Sequence, residues 1–325
     1  MTATDIRPGM IVVLCLLLGA CGSCSNRIPD NEVRLRANVH VNSSLLNGHN
    51  AIDRVRGFLG TGSREAGTPG AQKAAEYLSA EMRSLGVETE IDEFEEDTPG
   101  GHKTFRNVIG RIGDAGGSVI VLGSHYDTKS GIGDGFQGAN DSGSSTGLLL
   151  ELAAVLKTTP VAGTEIVLAF LDGEECSLSY GKNDGLHGSR RLARALLNSG
   201  VSKRVAGVVI LDMVGDKDLN VSIPNNSTPG LCSAVFSAAH REGSRSKFSQ
   251  SRYDVLDDHV PFLDAGMPAV DIIDFTYGSA DGLNDYWHTK EDTLDKLSAE
   301  SLETVGRVTI RLIDLLVENK TGVAR

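Results

Sequence analysis

Short apolar runs alternate with helical patterns along most of the chain. Residues 119–122, 166–171 and 205–211 are continuous apolar runs, which are typical of strands covered on both faces. A further strand is predicted at residues 269–273. Apolar residues at helical spacing predict helices around residues 52–59 and 74–82 and over residues 148–156, 190–197 and 302–317. This alternation predicts a buried sheet with helices between its strands.

Two earlier segments extend the predicted sheet. Residues 87–91 alternate between apolar and polar side chains, and residues 105–112 also have the composition of a strand. The order of elements favours an α/β protein, specifically a three-layer α/β/α sandwich with a central mixed, mostly parallel sheet. The 325 residues contain no internal repeat, so we predict a single catalytic domain over residues 50–325.

The N-terminal segment predicts export. Arg7 precedes an apolar run at residues 10–18, which is too short to span a bilayer and has the proportions of a signal-peptide core. Residues 18–21, Leu-Gly-Ala-Cys, resemble the lipobox of bacterial lipoproteins, in which the cysteine, here Cys21, is lipidated. The alternative is ordinary cleavage near Ala20, with Cys21 left as a free thiol. We expect a lipoprotein signal peptide over residues 1–20.

The next segment, residues 21–49, is polar and lacks sustained periodicity, which is typical of a flexible tether. The predicted lipid anchor would then be the chain's only contact with a membrane. Gly22 follows the cysteine where an aspartate is associated with inner-membrane retention. We therefore expect a protein anchored to the cell envelope, at the outer membrane and facing the periplasm.

Charge and cysteine content exclude two classes of protein. The 31 Lys and Arg residues are outnumbered by 43 Asp and Glu, giving a net charge of −12, and no dense cationic run could bind nucleic acid. Once Cys15 in the signal and Cys21 are set aside, three thiols remain, which do not form a disulfide framework. Of these, Cys176 and Cys232 are expected to be buried apolar side chains rather than nucleophiles.

Polar side chains follow three of the predicted strands. His125-Tyr126-Asp127 comes after the first run, Asp172-Gly173-Glu174-Glu175 after the second, and Asp212 after the third. Each acid taken singly reads as a turn or helix cap. Together they predict a shared site, because ligands bind at the carboxyl ends of strands in open α/β sheets.

Asp141, Glu175 and His288 supply the mixed carboxylate and imidazole set that zinc takes in catalytic sites. Asp141 precedes a predicted helix, so it also fits a simple helix N-cap. Glu174 lies beside Glu175, and a carboxylate near the metal but not bound to it can move protons to and from the reacting group. A zinc enzyme is the resulting hypothesis.

In their order along the chain, these motifs resemble those of the zinc aminopeptidase superfamily of co-catalytic metalloexopeptidases. The matching segments are His125-Tyr126-Asp127, Gly138-Ala139-Asn140-Asp141, Asp172-Gly173-Glu174-Glu175, Leu211-Asp212-Met213-Val214-Gly215 and Trp287-His288-Thr289. The resemblance runs from about Ile52 to the C-terminal helix. It implies one α/β domain and five potential metal ligands, namely His125, Asp141, Glu175, Asp212 and His288.

Two branches of the superfamily remain open. Aminopeptidases hydrolyse peptide N-termini with two zinc ions, the second of which would involve His125 and Asp212. Glutaminyl-peptide cyclotransferases convert N-terminal glutamine to pyroglutamate with one zinc ion. Three segments are similar to the cyclotransferase pattern: residues 172–190, residues 257–263 with Gly266-Met267-Pro268, and Thr98-Pro99 with residues 105–109. They favour a glutaminyl cyclase acting on peptide or protein N-termini.

In the cyclase, the resemblance implies roles for several side chains. Glu174 would transfer protons, Asp212 would lie near the substrate amine, and Asp257 would join a hydrogen-bond network beside Glu174. Trp287 and Tyr180 would contact the substrate, although a lone tryptophan more often belongs to a core.

The sequence also departs from the cyclase pattern. Tyr180 and Asp271 stand where animal members have tryptophan and histidine, and those members' disulfide is absent. Residues 140–143 read more like the aminopeptidase loop. A dizinc aminopeptidase therefore remains the main alternative. A third alternative, an inactive binding module on the same fold, is disfavoured because every ligand and the catalytic glutamate are present.

Overall fold

A six-stranded sheet lies at the centre of the protein. The computed structural model describes residues 41–322, and side chains as far as residue 318. The strands of the sheet are β1 (Glu88–Thr98), β2 (Gly101–Gly113), β3 (Ser118–His125), β4 (Thr164–Leu171), β5 (Val205–Asp212) and, after the short strands β6 (Val221–Ile223) and β7 (Phe248–Gln250), β8 (Ala269–Ile273). Their order is β1-β2-β4-β3-β5-β8, and β6 and β7 form a separate pair. Neighbours from β4 to β8 are parallel, whereas β2 is antiparallel to both β1 and β4. The predicted mixed, mostly parallel sheet is confirmed.

Helices cover both faces of this sheet. They are α1 (Gly48–Leu59), α2 (Pro69–Ser84), α3 (Ser145–Thr158), α4 (His187–Asn198), α5 (Pro229–Arg241), α6 (His259–Asp264) and α7 (Ala299–Gly322). One core contains buried side chains of α1, α2, α3, α5 and α7, and the other contains those of α4 and α6. The predicted three-layer sandwich is therefore also confirmed.

Burial on both faces explains the continuous apolar runs. In β3, Ile120 and Leu122 belong to the larger core, while Val119 and Val121 point into the smaller one, and all four are fully buried. Each such side chain contributes about 1.5–3 kcal/mol when it leaves water. A polar residue at any of these positions would therefore weaken one of the two cores.

The hairpin of β1 and β2 is longer than its sequence pattern predicts. The two strands pair over the whole length of β1, from Glu88 opposite Arg111 to Thr98 opposite Gly101. Beyond residue 91 the outer strand is mostly charged, and Phe94 is its one buried side chain. Apolar alternation disappears there because the outer strand is largely exposed to solvent.

The folded body begins before residue 50. Val41 is buried and its N–H donates to Asp314 Oδ1 at 3.0 Å, and Leu46 is also buried. Asn47 caps α1, since its side-chain oxygen accepts from the N–H groups of the next residues. The structure thus differs from the predicted tether over residues 41–49, because Val41 and Leu46 anchor a segment whose composition is otherwise mostly polar.

The remaining N-terminal predictions lie outside the described residues. These are the signal peptide, the lipidated Cys21 and the tether up to residue 40. Within residues 41–322, none of the helices has both the length and the apolar character that crossing a membrane requires.

Candidate active site

Parallel strands end at one edge of the sheet, and polar residues from them meet there. His125 is the last residue of β3 and Asp212 the last of β5. Glu174 and Glu175 lie in the turn that follows β4. Since neighbouring parallel strands present their carboxyl ends together, side chains far apart in sequence become neighbours.

Two loops complete this cluster. Asp141 lies in the short turn Ala139–Ser144 directly before α3, and its carboxylate contacts two histidines instead of capping the helix. His288 follows β8 and has a φ of 54°. That left-handed conformation costs a non-glycine residue about 1 kcal/mol, so the surrounding contacts must hold it in place.

The carboxylate of Asp141 lies between the two histidines. Its Oδ1 is 3.1 Å from His125 Nε2, and its Oδ2 is 3.2 Å from His288 Nε2. His288 Nε2 is also 2.8 Å from Glu175 Oε1, and His125 Nε2 is 3.3 Å from Asp212 Oδ1. The five predicted ligands therefore form two groups of three that share Asp141, with the ligand atoms of each group within 4.8 Å of one another.

The electrostatics of these groups fit a divalent metal. Burial raises the pKa of Asp212 to about 7, although His125 opposes the shift, and burial also raises the pKa of Glu175. Burial opposes ionisation of Asp141 too, but hydrogen bonds from His125 and His288 hold its pKa well below the usual range. Carboxylates and imidazoles at ligand distance are the donors that zinc takes, and a cation would favour the charged carboxylates that burial disfavours.

Glu174 lies beside the ligand groups without belonging to either. It is buried, and its Oε1 accepts a hydrogen bond from the Tyr180 hydroxyl at 2.8 Å. Burial raises its pKa well above the usual value; His125 opposes this shift, and nearby carboxylates, Glu175 first, reinforce it. A carboxyl group with a raised pKa can hold and release a proton near neutral pH.

Asp127 fixes the backbone of the two adjacent glutamates. Its Oδ1 accepts from the N–H of Glu174 at 3.1 Å, and its Oδ2 accepts from the N–H of Glu175 at 3.2 Å. The side chain is fully buried. One carboxylate therefore sets the positions of both the expected proton carrier and the expected metal ligand.

The loop between Glu175 and α4 is organised by another carboxylate. Asp184 accepts hydrogen bonds from three consecutive N–H groups, those of residues 177, 178 and 179, at 2.6–3.0 Å. The loop then returns to the site, where the Leu186 N–H donates to the Glu174 carbonyl oxygen at 2.9 Å. Closure of the loop by Asp184 places Tyr180 over Glu174.

Two buried residues that the sequence did not single out hold the Asp141 turn. Asp292 accepts from the N–H of Asn140 at 2.7 Å and from that of Asp141 at 3.2 Å. Arg64 donates to the carbonyl oxygens of Gln137 and Gly138, both at 3.0 Å. Asp292 stands in a polar turn four residues after His288, and Arg64 in the turn-rich segment before α2, so neither carries a periodic signal.

A small pocket opens next to the ligand groups, with an empty volume of about 290 Å³. It is lined by Asp141, Glu174, Glu175, Tyr180, Asp212, Val255, Leu256, Asp257, Phe275, Trp287 and His288. Trp287 is 37% exposed and meets Phe275 edge to face, with ring centroids 6.1 Å apart. It is therefore a wall of the pocket and not a core residue.

Asp271 lies behind the pocket. It is fully buried on β8, beside Asp257, and does not itself line the pocket. The aspartate that replaces the histidine of animal members at this position therefore contacts Asp257, which lines the pocket, and does not face the pocket itself. Tyr180, the other departure, lines the pocket directly.

Cys176 and Cys232, the cysteines within residues 41–322, are both buried, as predicted, and neither forms a disulfide there. The carbonyl oxygen of Cys176 accepts from Lys129 Nζ at 2.7 Å. The same ammonium lies 3.2 Å from Glu175 Oε2. The cysteine segment therefore helps to place a positive charge against the expected metal ligand.

Comparison with known proteins shows both the family and the fold. Residues 107–313 match Peptidase family M28. A curated glutaminyl-peptide cyclotransferase from Boiga irregularis is 27% identical over 282 residues, covering 75% of each chain. The crystal structure of a glutaminyl cyclase from an Acidobacteriales bacterium is 38% identical, with a TM-score of 0.79 over 84% of this chain and 96% of that one.

A more distant neighbour shares the fold. It is the crystal structure of a leucine aminopeptidase precursor from Bacteroides thetaiotaomicron, 24% identical, with a TM-score of 0.73 over 84% of this chain and 98% of that one. The same architecture thus occurs in proteins that are named for different reactions.

Proposed function

This chain is a glutaminyl-cyclase-like member of peptidase family M28, and we propose that it is a zinc-dependent glutaminyl-peptide cyclotransferase. It converts the N-terminal glutamine of peptides or proteins to pyroglutamate and releases ammonia. The observation that carries the proposal is Glu174, which is buried beside the ligand group and hydrogen-bonded to Tyr180 in a pocket of about 290 Å³.

Glu174 moves the proton in this reaction. It takes a proton from the α-amine as the bond between the amine nitrogen and Cδ, the carbonyl carbon of the γ-carboxamide, forms. It then gives the proton to the amide nitrogen as the bond from Cδ to that nitrogen breaks, and ammonia leaves. A zinc ion held by Asp141, Glu175 and His288 would supply polarisation of the γ-carbonyl oxygen.

The remaining pocket residues orient the substrate. Asp212 and Asp257 line the pocket, and Asp212 is the carboxylate that we assign to the α-amine. Tyr180 and Trp287 form walls that limit access of water to the reacting atoms. Because the amine and the carbonyl belong to one residue, holding them in contact supplies much of the rate without an external nucleophile.

The second ligand group favours one other candidate, a dizinc aminopeptidase. His125, Asp141 and Asp212 are placed as closely as the first group, so the chain offers donors for two ions. We propose a single zinc ion at Asp141, Glu175 and His288. Elemental analysis of the purified protein tests this count, and two tightly bound zinc ions per chain would count strongly against the cyclase.

The reaction itself is tested by product mass. The purified protein is incubated with a glutamine-initiated peptide, and the product is weighed by mass spectrometry. Loss of ammonia with an intact chain length supports the cyclase. Loss of the N-terminal residue supports the aminopeptidase and overturns the proposal.

We further propose that the protein is exported and anchored to the outer membrane, facing the periplasm, through Cys21. Support comes from Arg7, the apolar run at residues 10–18 and the lipobox-like segment that ends at Cys21. A Cys21→Ser variant in the native host is expected to leave the membrane fraction and to lose labelling by a radioactive fatty acid. Retention of both properties would contradict the anchor.

A further inference from the structure

A second cavity adjoins the catalytic pocket, between α4 and α6. We call it the α4–α6 groove. It has an empty volume of about 740 Å³, and its lining includes Leu186, Leu197, Leu256 and Val260 together with Arg190 and Arg194. Measured in the same way, the catalytic pocket has about 290 Å³. The groove is therefore the larger of the two cavities.

Leu256 connects the two cavities. Its side chain lines both the catalytic pocket and the α4–α6 groove. It directly precedes Asp257 of the pocket, and α6 begins two residues later, at His259. A peptide whose first residue occupies the pocket can therefore reach the groove over Leu256.

The groove has an apolar part that is accessible to solvent. Leu197 and Leu256 are each 49% exposed, so a ligand can still cover half of each side chain. Removing apolar surface from water is favourable by about 25 cal/mol per Å², which suits contact with the side chains of a bound peptide. These two leucines mark the groove as a surface for an extended chain.

Cations stand on one wall of the groove. The Arg190 guanidinium is engaged, because it donates to the carbonyl oxygens of Gly181 at 2.6 Å and Lys182 at 3.0 Å. The Arg194 side chain is exposed and makes no ion pair or hydrogen bond within residues 41–318. Asp264 is the acid that lines the groove. The two arginines outweigh it, in a chain whose net charge is −12.

We infer that the α4–α6 groove binds the residues that follow the N-terminal glutamine of the substrate, and that Arg194 makes the enzyme prefer acidic side chains there. The inference rests on the proposed cyclase activity. The preference arises because an exposed charge pair contributes up to about 1 kcal/mol, or up to about fivefold in kcat/KM.

Three substrates test this inference on the full protein. They are glutamine amide, which has no following residue, and two pentapeptides, Gln-Ala-Glu-Glu-Ala and Gln-Ala-Lys-Lys-Ala. We expect kcat/KM to be about two- to fivefold higher for the glutamate peptide than for the lysine peptide, through KM. Arg194→Glu is expected to abolish or reverse this ratio, and Arg194→Ala to reduce it.

A matched charge reversal provides the control. Lys203→Glu changes an exposed residue beyond the C-terminal end of α4 and outside the groove, and should leave the glutamate-to-lysine ratio unchanged. Equal kcat/KM for the two pentapeptides in the unmodified protein, or equal ratios in the two charge reversals, would overturn the inference. If none of the three substrates is cyclised, the proposed function fails instead.

Discussion

The catalytic pocket and the α4–α6 groove meet at Leu256 but are built in opposite ways. In the pocket, side chains are buried and the backbone around them is fixed by acceptors such as Asp127 and Asp292. In the groove, half-exposed Leu197 and exposed Arg194 lie on the surface of α4, and half-exposed Leu256 lies in the loop before α6. This difference indicates that the side chains that take part in the reaction must be held in fixed positions, whereas an exposed surface can bind substrates of different sequence. We therefore expect changes in the pocket to lower kcat, and changes in the groove to alter KM by small factors.

The largest effect should follow metal removal. Dialysis against a chelator is expected to remove zinc and to abolish release of ammonia, because polarisation of the γ-carbonyl depends on the ion. Coupled ammonia detection measures the loss. Adding zinc back should restore activity, whereas magnesium should not, since imidazole suits zinc and magnesium prefers oxygen ligands. Full turnover by protein shown to be free of metal would refute this dependence.

Replacing Glu174 should have the next largest effect. Glu174→Gln keeps the shape but cannot accept the proton of the amine, so kcat should fall by about 10²–10⁴-fold. Zinc content measured on the same sample should stay at the level of the unmodified protein. Glu88→Gln, on the exposed start of β1, is the matched control and should have full activity. Full turnover by Glu174→Gln would refute the proton-transfer role.

Asp127 tests whether fixed backbone positions matter. Asp127→Asn replaces one of the two oxygens that accept from the N–H groups of Glu174 and Glu175. Loss of such support typically costs about 10–100-fold in activity or metal affinity. Steady-state kinetics at saturating zinc and a zinc titration separate these two losses. Asp134→Asn, in the exposed loop that follows β3, serves as the control, and equal behaviour of the two variants would contradict the assignment.

Tyr180 should show the smallest effect within the pocket. Tyr180→Phe removes the 2.8 Å hydrogen bond to Glu174 but keeps the ring. Since a hydrogen bond to a charged group contributes about 1.5 kcal/mol or more, we expect about a tenfold loss in kcat/KM. The variants of the α4–α6 groove should lose less than this in kcat/KM. A groove variant with a larger loss in kcat than Tyr180→Phe would break the distinction between the two regions.

The sheet could be predicted from sequence because its signal is local. Continuous apolar runs such as that of β3 reflect burial on both faces, and the acids that follow them mark the carboxyl edge. The hairpin was predicted too short because the outer strand β1 is polar where it faces solvent. Burial of Val41 was missed because a single apolar residue carries no period.

The site was predictable only in part, for a related physical reason. The ligand positions resemble a known family motif by motif, so their residue types could be read from the sequence. The hydrogen bonds that hold them join distant positions: Asp292 to the backbone of Asp141, and Arg64 to that of Gly138. Such contacts depend on tertiary packing, which leaves no pattern along the chain. The same holds for the α4–α6 groove, which two helices form only when they pack together.

The loop closed by Asp184 has a consequence for how this enzyme can diversify. Its three N–H groups are satisfied from within the loop, so little of its internal order depends on the sheet beneath it. We therefore expect insertions, deletions or exchanges between residues 176 and 184 to leave the proposed metal ligands undisturbed. Selection can then alter the covering of Glu174, and with it the range of accepted N-termini, while the chemistry below is inherited unchanged.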